Sequence, residues 1–200
     1  MKNLIVILDP AHGANVLGKC SPDKSHREYI WSRQRVKNLS LILTNLGYEV
    51  FVTTDSENEP GLSKRKNFAT QIRKGTRKLL LSLHNNAAGN GDNWMSARGV
   101  EVFTTPGITD SDICADILLK QIKKDFPTLR MRYNKDAMLH RDKESNFTVL
   151  MGSGYMGVLI EWLFQDNKED VRLLSSSEVN TKLENTLVTA IESINEYFGA

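Results

Sequence analysis

The sequence predicts an α/β fold in which helices cover both faces of a mainly parallel sheet. Short apolar runs of strand length recur along the chain, and segments with the helical spacing of about 3.6 residues separate them. Strands that alternate with helices form βαβ units, which build parallel sheets buried on both faces. The length of 200 residues fits one domain spanning residues 1–200, large enough to bury a sizeable core.

The predicted elements follow one another along the chain. Strands are predicted at residues 4–8, 49–53, 79–83, 99–104 and 157–160. Helices are predicted at residues 28–46, where Gly47 ends the helix, and at residues 62–73, with Phe68 and Ile72 on the buried face. A third helix is predicted to begin at Asp110 as its N-cap, and the last helix is predicted at residues 177–198. Residues 134–148 are polar and irregular, and no element is predicted there.

Composition limits the cellular setting. The 26 basic and 24 acidic residues give a net charge of +2, far from the concentrated basic surface of a dedicated nucleic-acid binder. No apolar run is long enough to span a membrane, and the first run is too short for a signal peptide. Cys20 and Cys114 are expected to be reduced thiols. We therefore expect a monomer made in the cytoplasm without a signal peptide, with no nucleic-acid partner and no membrane span.

Four polar side chains indicate a site at one edge of the sheet. His12 and His84 follow strand-like runs, Glu161 ends a third, and Glu28 opens a helix. The C-terminal ends of parallel strands converge on the edge where open α/β folds place their sites. Two imidazoles and two carboxylates there are typical of a catalytic zinc site with three protein ligands, an open position for water and a general base.

Each of these residues also has an ordinary structural interpretation. Histidines such as His12 and His84 commonly bond only to backbone, and Glu28 could be an acid favoured by the helix dipole. Glu161 differs, because a carboxylate between Val-Leu-Ile and Trp-Leu-Phe is costly to bury without a partner. The order of all four residues along the chain favours the metal site.

Neighbouring polar residues are assigned simpler roles. His26 lies two residues from Glu28, but we expect it to be exposed and not a ligand. His140 is expected on the surface, and Cys20 is expected to be a spectator, because it has no recognisable base next to it in sequence. Arg65 is expected to form a structural ion pair.

Two long loops, residues 10–25 and 85–98, are expected to line a substrate cleft, because long loops in compact domains are usually functional. Asn86 follows His84 closely and is a candidate substrate-binding residue. Trp94 is a candidate platform for a glycan or peptide, whereas Trp162 is expected in the core.

The motifs resemble, in order, a known family. They are residues 8–13 (LDPAHG), Glu28, residues 82–88 (SLHNNAA) and residues 158–167 (VLIEWLFQDN). Over essentially the whole chain they resemble the zinc-dependent N-acetylmuramoyl-L-alanine amidases of the Amidase_3 type. The resemblance implies a six-stranded sheet, with one zinc ion held by His12, Glu28 and His84 and with Glu161 as the catalytic carboxylate.

The resemblance implies hydrolysis of the amide bond between the lactyl group of N-acetylmuramic acid and L-alanine in the peptidoglycan stem peptide. Zinc lowers the pKa of bound water toward roughly 7, and Glu161 would take its proton and pass it to the leaving nitrogen. Without a secretion signal, such an enzyme resembles phage endolysins, which wait in the cytoplasm for a holin. Two alternatives stay open, a zinc peptidase acting within the stems and a non-catalytic wall-binding module.

Overall fold

The computed structural model describes residues 2–134 and 140–199. The strands are β1 (Ile5–Pro10), β2 (Val50–Val52), β3 (Lys78–Asn86), β4 (Val100–Thr104), β5 (Lys143–Glu144) and β6 (Met156–Phe164). The helices are α1 (Glu28–Asn45), α2 (Leu62–Gln71), α3 (Asp110–Asp125), α4 (Lys168–Leu174) and α5 (Ser177–Gly199). In this part of the chain no helix is both long enough and apolar enough to cross a membrane.

The strands form one mixed sheet in the order β2-β1-β3-β6-β4-β5. The pairs β1–β2, β1–β3, β3–β6 and β4–β5 are parallel, and only β4–β6 is antiparallel. The single-domain α/β fold and the mostly parallel six-stranded sheet are therefore confirmed. The reversed direction of β4 was not predicted.

The larger core lies on one face of the sheet. Leu79, Leu81 and Leu83 of β3 point to this face, where they join buried side chains of α1, α3 and α5. The helical side chains include Trp31, Val36, Leu39 and Leu43, then Cys114, Ala115, Leu118 and Ile122, then Leu183, Leu187, Ile191 and Ile194. Most of these side chains recur at spacings of three or four residues, which gives each helix one apolar stripe. Each large side chain contributes about 1.5–3 kcal/mol when fully buried.

A smaller cluster lies on the other face. It contains Ile5 and Ile7 of β1, Leu80 of β3 and Leu159 of β6, together with Ala69 of α2 and the buried side chains of Val149 and Leu150. Because side chains alternate along a strand, Ser82 and His84 share the face of Leu80. This face is therefore apolar at one end of β3 and polar at the other.

The ends of two strands differ from the prediction. The strand β3 runs to Asn86 and β6 runs to Phe164. His84 and Glu161 therefore lie within strands, whereas His84 was predicted to follow a strand and Glu161 to end one. The β3–β6 register shifts after the His84–Glu161 pair, because Leu163 (φ 62°) forms a β-bulge. The predicted ends were wrong because apolar runs do not reveal pairing that continues through polar residues.

Four further predictions were incomplete or wrong. The N-cap of α3 is Thr109 and not Asp110, because the Thr109 side chain accepts a hydrogen bond from the Ser111 backbone N–H. Strand β5 lies in the segment predicted to be irregular, of which residues 135–139 lie outside the described residues. Helix α4 was missed, although Asn167 caps it by accepting hydrogen bonds from the backbone N–H groups of Glu169 and Asp170. Phe68 was predicted to be buried but is 36% exposed, because α2 buries Arg65 and Ala69.

A buried ion pair joins α2 to the sheet. The Asp9 carboxylate accepts hydrogen bonds from Arg65 Nη1 (3.0 Å to each oxygen), Thr53 Oγ1 (2.5 Å) and Ser82 Oγ (2.5 Å). Arg65 also donates through Nη2 to Glu59 Oε1 (2.7 Å). The structural ion pair predicted for Arg65 is confirmed, and it fixes the end of β1 from which the next residues leave the sheet.

We predict that Arg65→Met will lower the free energy of unfolding by about 3–5 kcal/mol, because the change leaves the Asp9 carboxylate buried without its cation. Urea unfolding will measure the change. The matched control is Arg73→Met, which removes an exposed pair with Glu49 and should cost roughly 0–1 kcal/mol. Equal effects of the two substitutions would contradict the structural role given to Arg65.

Candidate metal centre

His12 lies just beyond β1 in a constrained loop. Its backbone is left-handed (φ 46°), and a Cβ on Gly13 would lie 2.1 Å from the backbone nitrogen of Glu59. Arg33 Nη1 donates to the His12 carbonyl oxygen at 2.7 Å. The His12 ring then lies with Nδ1 3.6 Å from Glu59 Oε2 and Nε2 3.6 Å from Glu28 Oε1. The loop therefore aims the ring at Glu28 at a backbone cost of the order of 1–3 kcal/mol.

Glu28 is buried in the first turn of α1, where the helix dipole favours an acid. Its Oε1 accepts from the backbone N–H of Asn85 (3.0 Å) and lies 3.1 Å from His84 Nδ1, and its Oε2 accepts from Gln165 Nε2 (3.2 Å). Burial alone would raise the pKa of Glu28, but the hydrogen bond with His84 and the charges of His84 and His12 lower it. The carboxylate is therefore held in its charged form.

His84 completes a compact set of donors. The His12 and His84 rings are 5.0 Å apart and nearly perpendicular. Burial would lower the pKa of His84, but Glu28 raises it, whereas burial lowers the pKa of His12 despite Glu28. One ligand atom from each of the three residues lies within 4.8 Å of the others. Two ligand atoms of one zinc ion lie roughly 3.4 Å apart. The distances from Glu28 Oε1 to His12 Nε2 (3.6 Å) and to His84 Nδ1 (3.1 Å) therefore fit such an ion.

Glu161 lies beside this set, because it pairs directly with His84 across β3 and β6. Its Oε2 is shielded from solvent and has no hydrogen-bond partner among the described residues. Burial raises the pKa of Glu161 to about 7, with His84 opposing the rise and Glu28 adding to it. A carboxyl group with such a pKa can hold and release a proton near neutral pH.

His26 was predicted to be exposed, and that prediction was wrong, because only 6% of it is exposed. Its Nε2 lies 2.8 Å from Asn85 Oδ1, while Asn85 Nδ2 donates to the Trp162 carbonyl oxygen at 2.7 Å. Since the Asn85 amide nitrogen is already a donor, the oxygen must accept and His26 must donate. His26 therefore orients the Asn85 side chain, whereas the Asn85 backbone N–H is the group that donates to Glu28. Trp162 is in the core, as predicted.

The structure separates the two candidate substrate residues. Asn86 lies on the same face of β3 as His84, and its Nδ2 donates to Glu101 Oε2 at 2.9 Å. Trp94 packs instead beneath Lys168, whose Nζ is 5.7 Å from the ring centre, and lines a separate groove of about 550 Å³. His140 is partly exposed.

Glu101 was missed by the sequence reasoning. It pairs directly with Glu161 across β4 and β6, and its Oε1 accepts from Arg132 Nε (2.6 Å) and Lys143 Nζ (2.8 Å). Burial would raise the pKa of Glu101, but these two hydrogen bonds lower it. A charged residue between two valines of a strand was a usable signal, the same one that identified Glu161. Glu59 and Gln165 gave no comparable signal, because their roles depend only on tertiary contacts.

The fold and these side chains define a class of protein, an α/β enzyme with histidines and glutamates gathered at the polar end of a mixed sheet. A family model described as N-acetylmuramoyl-L-alanine amidase, Amidase_3, matches residues 6–193. The chain belongs to this family and is an N-acetylmuramoyl-L-alanine amidase that hydrolyses peptidoglycan. The predicted resemblance is confirmed.

Solved structures agree with this assignment. An N-acetylmuramoyl-L-alanine amidase from Clostridium difficile 630 is 25% identical, with a TM-score of 0.82 over 96% of this chain and 97% of that one. The catalytic domain of CwlV from Bacillus (Paenibacillus) polymyxa var. colistinus (20% identity, TM-score 0.80, coverage 100% and 99%) shares the fold. An amidase of Nostoc punctiforme also shares the fold, with 22% identity and a TM-score of 0.79 over 99% of this chain and 98% of that one. No curated protein matches the chain significantly.

We predict that Glu161 makes the metal-free protein less stable as the pH rises. Its pKa of about 7 in the folded protein exceeds the roughly 4.3 expected when unfolded. The stabilisation from the protonated group is therefore complete below about pH 4 and is lost as the pH rises through about 7. Urea unfolding in chelator, between about pH 5 and pH 8, should show wild type losing stability relative to Glu161→Gln.

The matched control for this pH experiment is Glu144→Gln, which removes an exposed carboxylate of β5. Its stability relative to wild type should stay constant over the same pH range. If the difference between wild type and Glu161→Gln were also constant, the carboxyl group would not carry the raised pKa.

Proposed function

We propose that this amidase uses one zinc ion held by His12, Glu28 and His84, with Glu161 as the general base. The observation that carries the proposal is the set of three ligand atoms within 4.8 Å of one another, directly beside the Glu161 carboxyl group. Two imidazoles and one carboxylate form a donor set that catalytic zinc sites use, and it leaves a fourth position open. The distances of 3.6 and 3.1 Å from Glu28 Oε1 to the nitrogens of His12 and His84 also support a bound zinc ion.

When bound, zinc would lower the pKa of a coordinated water and polarise the amide carbonyl group. Glu161 Oε2, which has no partner among the described residues, is free to accept a proton and to return it to the leaving nitrogen of L-alanine. In the metal-free protein burial raises the pKa of Glu161 to about 7, and a group that accepts and returns a proton works best when its pKa is close to the working pH. The bond cleaved joins the lactyl carbonyl of N-acetylmuramic acid to L-alanine.

Residues around the ligands hold them in place. The Asn85 backbone N–H and the Gln165 side chain donate to the two oxygens of Glu28, and His26 orients the Asn85 side chain. Glu59 lies 3.6 Å from Nδ1 of His12, the ring nitrogen on the side away from Glu28. Such outer contacts fix the orientation of ligands and tune their basicity.

The substrate residues and the organisation of the enzyme are also proposals. Asn86 is proposed to contact the muramoyl peptide, because it lies on the face that carries His84. Trp94 is proposed to contact the glycan or peptide farther away, in its own groove. We also propose that residues 1–200 form one catalytic domain that acts as a monomer. Ala69 of α2, which packs on the smaller cluster, supports the proposal that helices cover both faces.

The enzyme acts on the bacterial cell wall, since peptidoglycan is its substrate. A bacteriolytic role as a phage endolysin, with release from the cytoplasm through a holin, stays a prediction.

We predict that the zinc-loaded enzyme, incubated with purified peptidoglycan, will release intact stem peptides with a free N-terminal L-alanine. Mass spectrometry and amino-group labelling of the products will measure this, with Glu161→Gln as control. New reducing sugar ends would indicate a glycosidase. Shortened stems with the lactyl amide intact would indicate a peptidase. Bound zinc and bound wall without any release would indicate a non-catalytic binding module.

We predict different effects of two glutamate substitutions. Glu161→Gln should retain about one zinc per chain while turnover falls by roughly 10²-fold or more, because the amide keeps the size but not the proton acceptor. Glu28→Gln should lose metal affinity first and activity as a result. Elemental analysis and peptidoglycan turnover will measure both. Loss of zinc from Glu161→Gln would overturn this division of roles.

The histidine ligands need their own controls. His84→Ala should lose its zinc, and a chelator should abolish wild-type activity, whereas His140→Ala removes a histidine outside the proposed site and should keep both metal and activity. If His84→Ala held zinc as tightly as wild type, His84 would not be a zinc ligand.

A further inference from the structure

A row of paired residues extends the site beyond Glu161. His84 pairs with Glu161 across β3 and β6, and Glu161 pairs with Glu101 across β6 and β4. Directly paired residues point to the same face of a sheet, so the three side chains form one row. Lys143 pairs with Phe103, two residues from Glu101 and on the same face. The row therefore ends in the contact of Glu101 with Arg132 and Lys143.

Arg132 is fixed in place with both Nη nitrogens unused among the described residues. Only Nε contacts Glu101, and the guanidinium carbon lies 5.2 Å from the centre of the Phe164 ring. Neither Nη nitrogen has a hydrogen-bond acceptor among the described residues, and the side chain is 27% exposed. A guanidinium offers a planar fork of N–H groups that matches a carboxylate. Among the described residues the fork of Arg132 is thus held in place, unpaired and partly exposed.

Neutralising Glu101 does not account for this geometry. A guanidinium that served only its partner carboxylate would gain most from two parallel hydrogen bonds to both oxygens. Here Arg132 and Lys143 share Oε1, and Asn86 occupies Oε2. The carboxylate of Glu101 therefore acts as an anchor that leaves the Nη groups of Arg132 unpaired within the described part of the chain.

We propose that Arg132, supported by Lys143, binds a free carboxylate of the stem peptide and makes the enzyme selective for acidic muramoyl peptides. This proposal rests on the proposed function, because it assumes that the scissile amide lies beside His84 and Glu161. Both cations lie one strand beyond Glu161, on its face of the sheet. A charge-assisted pair between a guanidinium and a carboxylate is both strong and directional.

The distance limits which carboxylate is bound. Neighbouring strands lie about 4.8 Å apart, so the Glu101 position is roughly 10 Å from the His84 position. An extended peptide advances about 3.4 Å per residue. The carboxylate therefore belongs to the second or third residue of the peptide, counted from the scissile amide.

The test compares three synthetic N-acetylmuramoyl tripeptides as substrates of the zinc-loaded enzyme. One carries a free carboxylate on the second residue, one carries it on the third, and one carries carboxamides at both positions. We expect wild type to favour one of the acids in kcat/KM by about 10- to 100-fold over the carboxamide. Arg132→Gln should reduce this ratio to near one, and Arg132→Lys, which keeps the charge without the fork, should retain only part of it.

The matched control is Arg130→Gln, which removes an exposed arginine two residues away and should leave the substrate ratio unchanged. If Arg132→Gln slowed the acids and the carboxamide equally, Arg132 would act only through Glu101, and the proposal would be wrong. Wild type that cleaves all three peptides equally would also overturn it, while leaving the amidase function intact.

Binding provides a measurement independent of turnover. Calorimetry with Glu161→Gln should give a lower Kd for the favoured acid than for the carboxamide, and the added change Arg132→Gln should remove the difference. If wild type cleaved none of the peptides but this difference were found, the carboxylate site would stand and the proposed zinc-dependent cleavage would fall. Equal Kd values would overturn the carboxylate site.

Discussion

The buried ion pair between Asp9 and Arg65 is the interaction on which the site depends. Two charges removed from water cost several kcal/mol each unless good geometry and further hydrogen bonds compensate. Here Thr53 and Ser82 complete the shell of Asp9, and Arg65 reaches on to Glu59. The pair thus fixes the end of β1 together with the residue that lies 3.6 Å from the His12 ring. Without it, the left-handed loop at His12 would lack its support.

Pairing between strands determines the order of charges beyond that pair. His84, Glu161 and Glu101 occupy adjacent positions on three neighbouring strands, so like charges lie side by side. Such neighbours are destabilising unless other groups compensate. Glu101 is compensated by cations from two segments, whereas Oε2 of Glu161 has no partner in the described part of the chain. The sheet thus holds one carboxylate charged and leaves the other able to bind a proton.

Sequence reasoning found what local pattern determines. His12, His84 and Glu161 could be expected near one another because polar residues at the ends of apolar runs are conspicuous, and Glu28 because it fits the family motif. The structure brings these four residues together, and their roles in metal binding and catalysis stay proposals. The exposure of His26 and Phe68 was misjudged because it depends on partners far along the chain. His26 is buried against Asn85, and Phe68 is exposed because α2 turns Arg65 inward to pair with Asp9. The reversal of β4 likewise left no local signal, since it depends on the path of the intervening loop.

The reversal of β4 and the bulge in β6 together shape the far side of the site. Running antiparallel to β6, β4 places Glu101 opposite Glu161, and the extra residue Leu163 then brings Phe164 opposite Asn86. Phe164 is the ring that lies 5.2 Å from the guanidinium carbon of Arg132. In this bulge Leu163 adopts a left-handed backbone conformation, which costs of the order of 1–3 kcal/mol. Such strain persists only where the surrounding packing determines it, and Trp162, Leu163 and Phe164 are all buried. The bulge therefore links the carboxyl group proposed to handle protons to the guanidinium proposed to select the peptide.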